Sequence, residues 1–163
     1  MTSAGWRRTR PVLVAAAAAL AVAATGGSLT VLGPWYQHLA KPPWQPPGPA
    51  FGAIWTVIFA LCAVSGVIAW RQAPSQARLE WMIGFFALNG FLNILWSLLF
   101  FRLHRPDWGL WEVSFLWSSV LLLIIFLARF SWRASALLAP YLIWVTIASV
   151  LTAEIVRLNG PFA

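Results

Sequence analysis

Five apolar runs, each about as long as a bilayer is thick, dominate this chain: Pro11 to Leu32, Phe51 to Trp70, Leu79 to Phe101, Trp108 to Ala128 and Trp132 to Val156. In hydrocarbon every backbone N–H and C=O must find its partner inside the protein, so runs of this length predict helices. A membrane barrel would need shorter, alternating segments. Only 9% of the residues are charged, against about 25% in soluble domains, so the chain cannot coat itself with water-facing groups. The expected fold is an all-α integral membrane protein, one domain over 1–163. It is a bundle of five transmembrane helices over approximately 11–32, 50–70, 79–101, 107–129 and 131–157, with a Pro/Trp-rich loop between helices 1 and 2. The alanine-rich first run also suits a signal peptide, with Ala21-Val22-Ala23 as a cleavage motif, but it is long enough to span.

The formal charge of +7 raises the possibility of nucleic acid. The cations lie singly or in pairs at the ends of apolar runs, which is where positive charge orients a membrane protein or meets anionic lipid, so nucleic acid is excluded. With five spans, Arg7, Arg8, Arg10, Arg71, Arg78, Arg129 and Arg133 fall on one face and Lys41, Arg102, Arg105 and Arg157 on the other. The positive-inside rule then places the N-terminus in the cytoplasm and the first loop outside. Cys62 is the chain's one cysteine, which rules out an intramolecular disulfide or a cysteine-based metal site. Ser131 is placed to cap the fifth helix, and Pro140 should kink it.

The segment from Gly33 to Pro49 holds six of the eleven prolines together with Trp35, Tyr36, Lys41 and Trp44. Each proline fixes φ and removes a donor, so the segment should be neither helix nor sheet interior. It reads as a stiff, pre-shaped lid, with hinges at Gly33 and Gly48.

A polar residue inside a span marks a site by default. Asn89, Asn93, Trp96 and Phe100 share one helical face in the third run, as do Tyr141, Trp144, Ala148, Thr152 and Ile155 in the fifth. Trp55 and Thr56 lie just beneath the loop, and Trp55, Trp96 and Trp144 are too deep for the interfacial belts. Most of these groups gather toward the loop end. A mostly apolar, aromatic pocket with a few amides suits a flat hydrophobic ligand.

Each residue also has a plainer role. Asn89 and Asn93 can join helices by hydrogen bonds, and Trp55 or Trp144 can simply pack. Gly52, Thr56 and Ala60 form a small-residue ridge suited to helix packing. Glu112 can cap a helix or pair with Arg102 or Arg105. His38 and His104 read as surface residues rather than haem ligands. No nucleophile–base–acid set and no phosphate loop is present, so catalytic residues and metal sites are both assigned as none.

Several motifs occur together and in order. They are Trp35-Tyr36, Lys41-Pro42-Pro43-Trp44-Gln45-Pro46-Pro47, Phe51 with Trp55, Asn93-Ile94-Leu95-Trp96 with Phe100-Phe101, Trp108 with Glu112, and Pro140-Tyr141-Leu142-Ile143-Trp144. They resemble the tryptophan-rich sensory protein/translocator protein family (TspO/MBR, the peripheral benzodiazepine receptor family) over about residues 12 to 159. The resemblance implies a five-helix bundle, often dimeric, that binds porphyrins such as protoporphyrin IX or haem-like tetrapyrroles, with no required cofactor. Carried over by position, it implies a ligand-binding set of Tyr36, Trp44, Pro46, Trp55, Asn93, Trp108, Trp144 and Ala148. The chain departs from the family pattern at Asn89, Leu98, Thr152 and Ala153. Ala153 replaces the tyrosine of an animal sterol motif, which argues against cholesterol.

The function expected from this resemblance is a multi-pass membrane receptor, sensor or carrier of a porphyrin, placed in a bacterial cell membrane. Trp55 and Trp144 would line the pocket, Asn93 would orient the ligand and Lys41 would meet a propionate. The alternatives are a photo-oxidative porphyrin-degrading enzyme and a structural scaffold for a partner complex. The expected partners are the porphyrin, the lipid bilayer and a second copy of the chain.

Overall fold

In the computed structural model, which describes residues 3–162, five helices are long and apolar enough to cross a membrane. They are α1 (Ser3–Leu29), α3 (Gly48–Gln72), α4 (Gln76–Ser97), α5 (Pro106–Ala128) and α7 (Ala139–Asn159), and two short helices, α2 (Pro34–His38) and α6 (Trp132–Ala136), lie between them. No strand occurs among the described residues.

The helix starts follow local chemistry. Ser75 caps α4 by accepting from the Arg78 N–H at 3.3 Å. Ser131 caps α6 by accepting from the Ala134 N–H at 3.4 Å, as its position in the sequence predicts. Proline falls in the first turn of α2, α3, α5 and α7, where its missing N–H costs nothing.

Two expectations change here. The fifth run does not kink at Pro140. It breaks at Leu137–Leu138, and Pro140 opens α7 instead of interrupting it. The Pro-rich segment does contain a helix, α2, because Pro34 supplies a first-turn residue and the next proline comes only at Pro42.

The helix α4 runs on into a π-helical turn, Leu98–Arg102. A π turn adds a residue to the helical repeat and so rotates the residues beyond it about the helix axis. Here it brings Phe100 and Phe101 into one cluster with Trp96, at ring separations of 5.1 and 5.8 Å.

Helix α1 packs on α3 and α4, α4 on α5, and α5 on α6 and α7. Lipid is as apolar as leucine, so side-chain packing and hydrogen bonds between helices hold such a bundle. Asn89 Nδ2 donates to Ser119 Oγ at 2.8 Å and joins α4 to α5. Asn93 Nδ2 donates to the Tyr141 hydroxyl at 3.2 Å and joins α4 to α7. Ser65 Oγ donates to the Ala134 carbonyl at 2.7 Å, and Trp117 Nε1 to Thr146 Oγ1 at 2.9 Å. The central core gathers Ile58, Val113, Leu116, Val120, Tyr141, Trp144 and Val145. A second cluster, around Met82, Leu123, Leu127 and Leu138, closes the end away from the loop. Large apolar side chains also face outward, Trp111 at 77% and Trp132 at 70% exposure, as the lipid-facing surface of a membrane protein requires.

Candidate functional site

A cavity of about 870 Å³ lies between α1, α3, α4 and α7, beneath the segment that joins the first two spans. The size falls within the usual range for small-molecule sites. Its aromatic wall comes from helical spacing. Phe51 and Trp55 are four apart on α3, and Trp144 sits opposite on α7. Trp55 meets Trp144 edge to face at 6.5 Å and 88°, and Phe51 meets Trp144 at 5.5 Å and 71°. Trp96, Phe100 and Phe101 supply the α4 side, and Ala148, Thr152 and Ile155 continue the α7 side.

Of the residues marked from sequence, Tyr36, Trp55, Asn93, Trp144 and Ala148 line this cavity. Trp44, Pro46 and Trp108 are not part of the lining. Trp44 is 47% exposed on the irregular segment after α2. Trp108 is half exposed beneath the Arg105 guanidinium, 4.2 Å from its ring, where the Arg105–Asp107 pair also sits. Both tryptophans lie close to the right level in the sequence but point elsewhere.

Other residues differ from expectation too. The Lys41 ammonium is not held out at the rim. It donates to the carbonyls of Tyr36 at 2.6 Å and Leu39 at 3.0 Å, and it lies 4.6 Å from the centre of the Tyr36 ring. Lys41 therefore closes the end of α2 rather than awaiting an anion. Gly52, Thr56 and Ala60 are not a packing ridge but part of the cavity wall, and a Cβ added to Gly52 would meet nothing within 4 Å. Glu112 pairs with neither Arg102 nor Arg105. It is 6% exposed, and neither carboxylate oxygen has a partner. The ring of His104 stacks on Trp35 at 4.1 Å and 18°, with its backbone in the left-handed region at φ 56°.

The roof is tied down at several points. Trp35 reaches Phe100 edge to face, and Tyr36 packs on Phe101 at 5.5 Å. Gln45 Nε2 donates to the Tyr36 hydroxyl at 3.4 Å. Burial pushes that hydroxyl above its usual pKa range, and the Gln45 hydrogen bond pulls it partly back. Asn159, at the end of α7, bonds the backbone of Ala40.

Sequence reasoning missed the first helix. Ala16, Ala19, Ala23, Gly26 and Gly27 of α1 line the cavity. The signal was present as a run of small residues, but smallness leaves room without advertising a site. The cavity wall is mostly apolar, with Tyr36, Thr56, Asn93, Ser97 and Thr152 among its polar residues. The indole N–H groups of Trp96 and Trp144 are buried and have no hydrogen-bond partner. Buried donors of this kind are rare, and each calls for an acceptor. A Cβ on Gly109 would lie 3.6 Å from Trp96 Nε1, an ordinary contact, so that nitrogen is turned toward α5.

The family model for the TspO/MBR family matches residues 13–158. The chain is 32% identical over 141 residues to Protein CrtK of Rhodobacter capsulatus, covering 86% of this chain and 88% of the relative. It is 37% identical over 130 residues to Tryptophan-rich protein TspO of Chlorobaculum tepidum, covering 77% and 79%. It is 27% identical over 118 residues to Translocator protein of Bos taurus, covering 72% and 70%.

Proposed function

The chain belongs to the TspO/MBR family, and on that premise we propose that it is a membrane sensor or carrier that binds a porphyrin in the cavity beneath the Gly33–Pro49 segment. The observation that carries this reading is the cavity itself. It is aromatic on two walls and about 870 Å³ in volume. Aromatic faces stack on a planar macrocycle. Asn93, tied to Tyr141 through its amide nitrogen, keeps its carbonyl oxygen free to orient a ligand N–H. The name of one relative, Tryptophan-rich sensory protein of Cereibacter sphaeroides, fits a sensory membrane role.

The test is titration of protoporphyrin IX into detergent-purified protein, with tryptophan quenching and the shift of the Soret band as readouts. Saturable quenching that is lost in the Trp55→Ala/Trp144→Ala double variant supports the reading. Equal affinity in that variant overturns the pocket assignment. Light-dependent conversion of the bound tetrapyrrole to new products would instead identify an enzyme.

A further inference from the structure

A second cavity, of about 440 Å³, lies between α1, α3 and α4 on the side away from the loop. It is not a separate hole. Ala19, Val22, Phe59, Ala63 and Asn93 line both cavities, so the two form one seam down the bundle.

The two chambers differ in chemistry. The upper one is lined by Tyr36, Thr56, Ser97 and Thr152 beside its aromatic wall. In the lower one the amide nitrogens of Asn89 and Asn93 are already bonded, to Ser119 and Tyr141. Among the described residues, no buried polar side-chain atom left without a partner belongs to the lining of the lower chamber. The upper wall therefore offers a ligand more polar surface than the lower one, which is mostly apolar. Shape separates the chambers as well. The lower walls bring small residues close together, with Gly66 facing Ala15 and Gly90 facing Val22. A Cβ on Gly90 would fall 2.9 Å from the Val22 side chain, closer than real Cβ atoms approach a neighbour. A macrocycle suits the wide upper chamber, whereas a chain of methylenes suits the lower. Val14, Ile83 and Phe91, all exposed, flank the lower chamber, so its side opening faces the apolar surface of the bundle.

We propose that the lower chamber takes a hydrocarbon tail, acyl or isoprenoid, of a ligand whose planar head occupies the upper chamber. The proposal rests on the porphyrin reading and narrows it to tailed amphiphiles. Lipid already solvates a free tail, so the gain comes from packing against a preformed wall rather than from leaving water.

Cys62 reports on this directly, because it is the chain's one cysteine and lines the lower chamber but not the upper. The probes are protoporphyrin IX and its hexadecyl monoester, added to the full-length protein in nanodiscs. Binding is read by tryptophan quenching, and Cys62 alkylation by N-ethylmaleimide is monitored by intact mass. The ester should slow alkylation at saturation, whereas the free acid leaves the rate unchanged. Gly66→Leu and Ala87→Phe fill the lower chamber from two different helices. Each should weaken the ester by about tenfold and leave the free acid unchanged, which also shows that the variant folds.

If both probes quench but neither variant separates them, the tail lies elsewhere and the proposal fails while the porphyrin reading stands. If hexadecane without a head group protects Cys62 as well as the ester does, the chamber holds bilayer hydrocarbon only, and the proposal fails. If neither porphyrin quenches, the porphyrin reading falls and takes this proposal with it. Should Cys62 resist alkylation in the free protein, the two chamber-filling variants decide the matter alone.

Discussion

Asn159 grips the backbone of Ala40 with both ends of its carboxamide: the Ala40 N–H donates to Oδ1 at 2.7 Å, and Nδ2 donates to the Ala40 carbonyl at 2.8 Å. The two residues are 119 positions apart. This pair fastens the segment over the cavity to the last turn of α7. Neutral hydrogen bonds contribute about 0.5–1.5 kcal/mol each, so the clasp is strong enough to shape local opening without governing the fold. Asn159→Leu should therefore leave the melting temperature nearly unchanged but raise amide exchange around residues 34–41 by about tenfold. Unaltered exchange there would show that the clasp does not restrain the roof.

The positions of four tryptophans predict a split in ligand binding. Trp55 and Trp144 wall the cavity, whereas Trp44 and Trp108 stand outside its lining. Trp55→Ala or Trp144→Ala should weaken protoporphyrin by about tenfold or more. Trp44→Ala and Trp108→Ala should leave its affinity unchanged. Equal losses from all four would place the ligand outside this cavity.

The two buried asparagines should also separate. Asn89 joins α4 to α5 but does not line the upper cavity, while Asn93 joins α4 to α7 and does. Replacing either with leucine should cost about 0.6–2 kcal/mol of stability, measured by thermal unfolding in detergent. Only Asn93→Leu should also change porphyrin affinity or the position of the bound Soret band.

Glu112 is buried, with both carboxylate oxygens unpartnered. An apolar residue of similar size removes the burden of desolvating it, so Glu112→Leu should raise stability by about 1–3 kcal/mol. The readout is the thermal midpoint in detergent. A fall would show that the carboxylate has a partner in the membrane that outweighs its burial.

Gly33 and Gly48 flank the roof, and neither uses a backbone conformation reserved for glycine. No described glycine has positive φ, and Gly33 sits at φ −73° and ψ −172°. A Cβ would meet only Val31, at an ordinary 3.6 Å, from Gly33, and nothing within 4 Å from Gly48. The double Gly→Ala variant should fold and bind porphyrin at unchanged rates, as a fixed roof requires. Slower association and dissociation in stopped-flow quenching would restore the hinges.

Much of the candidate site was legible because helical periodicity is local. Asn93 and Trp96 had to share a face of α4, and Trp144, Ala148 and Thr152 a face of α7, whatever those faces met. The irregular stretches were harder. Residues such as Lys41, Trp44 and Trp108 have no periodic neighbour to fix their direction. Lys41 folds back on α2, and Trp108 lies under Arg105. Glu112 was readable as a polar group in a span, but its lack of a partner was not, and Arg105 pairs with Asp107 instead.

The sequence by itself determined that this chain lives in a membrane as five helices, because apolar length and charge poverty are properties of each segment alone. It also set the polar and aromatic positions of α4 and α7 on single helical faces. Only the tertiary structure decided that the small residues of α1 leave space rather than fill it. The same is true of the π turn that brings Phe100 and Phe101 together, and of the clasp between Asn159 and Ala40. Cavities and long-range clasps depend on how helices rotate and approach one another. That is settled by the sum of many packing contacts along the chain, not by any one stretch of it.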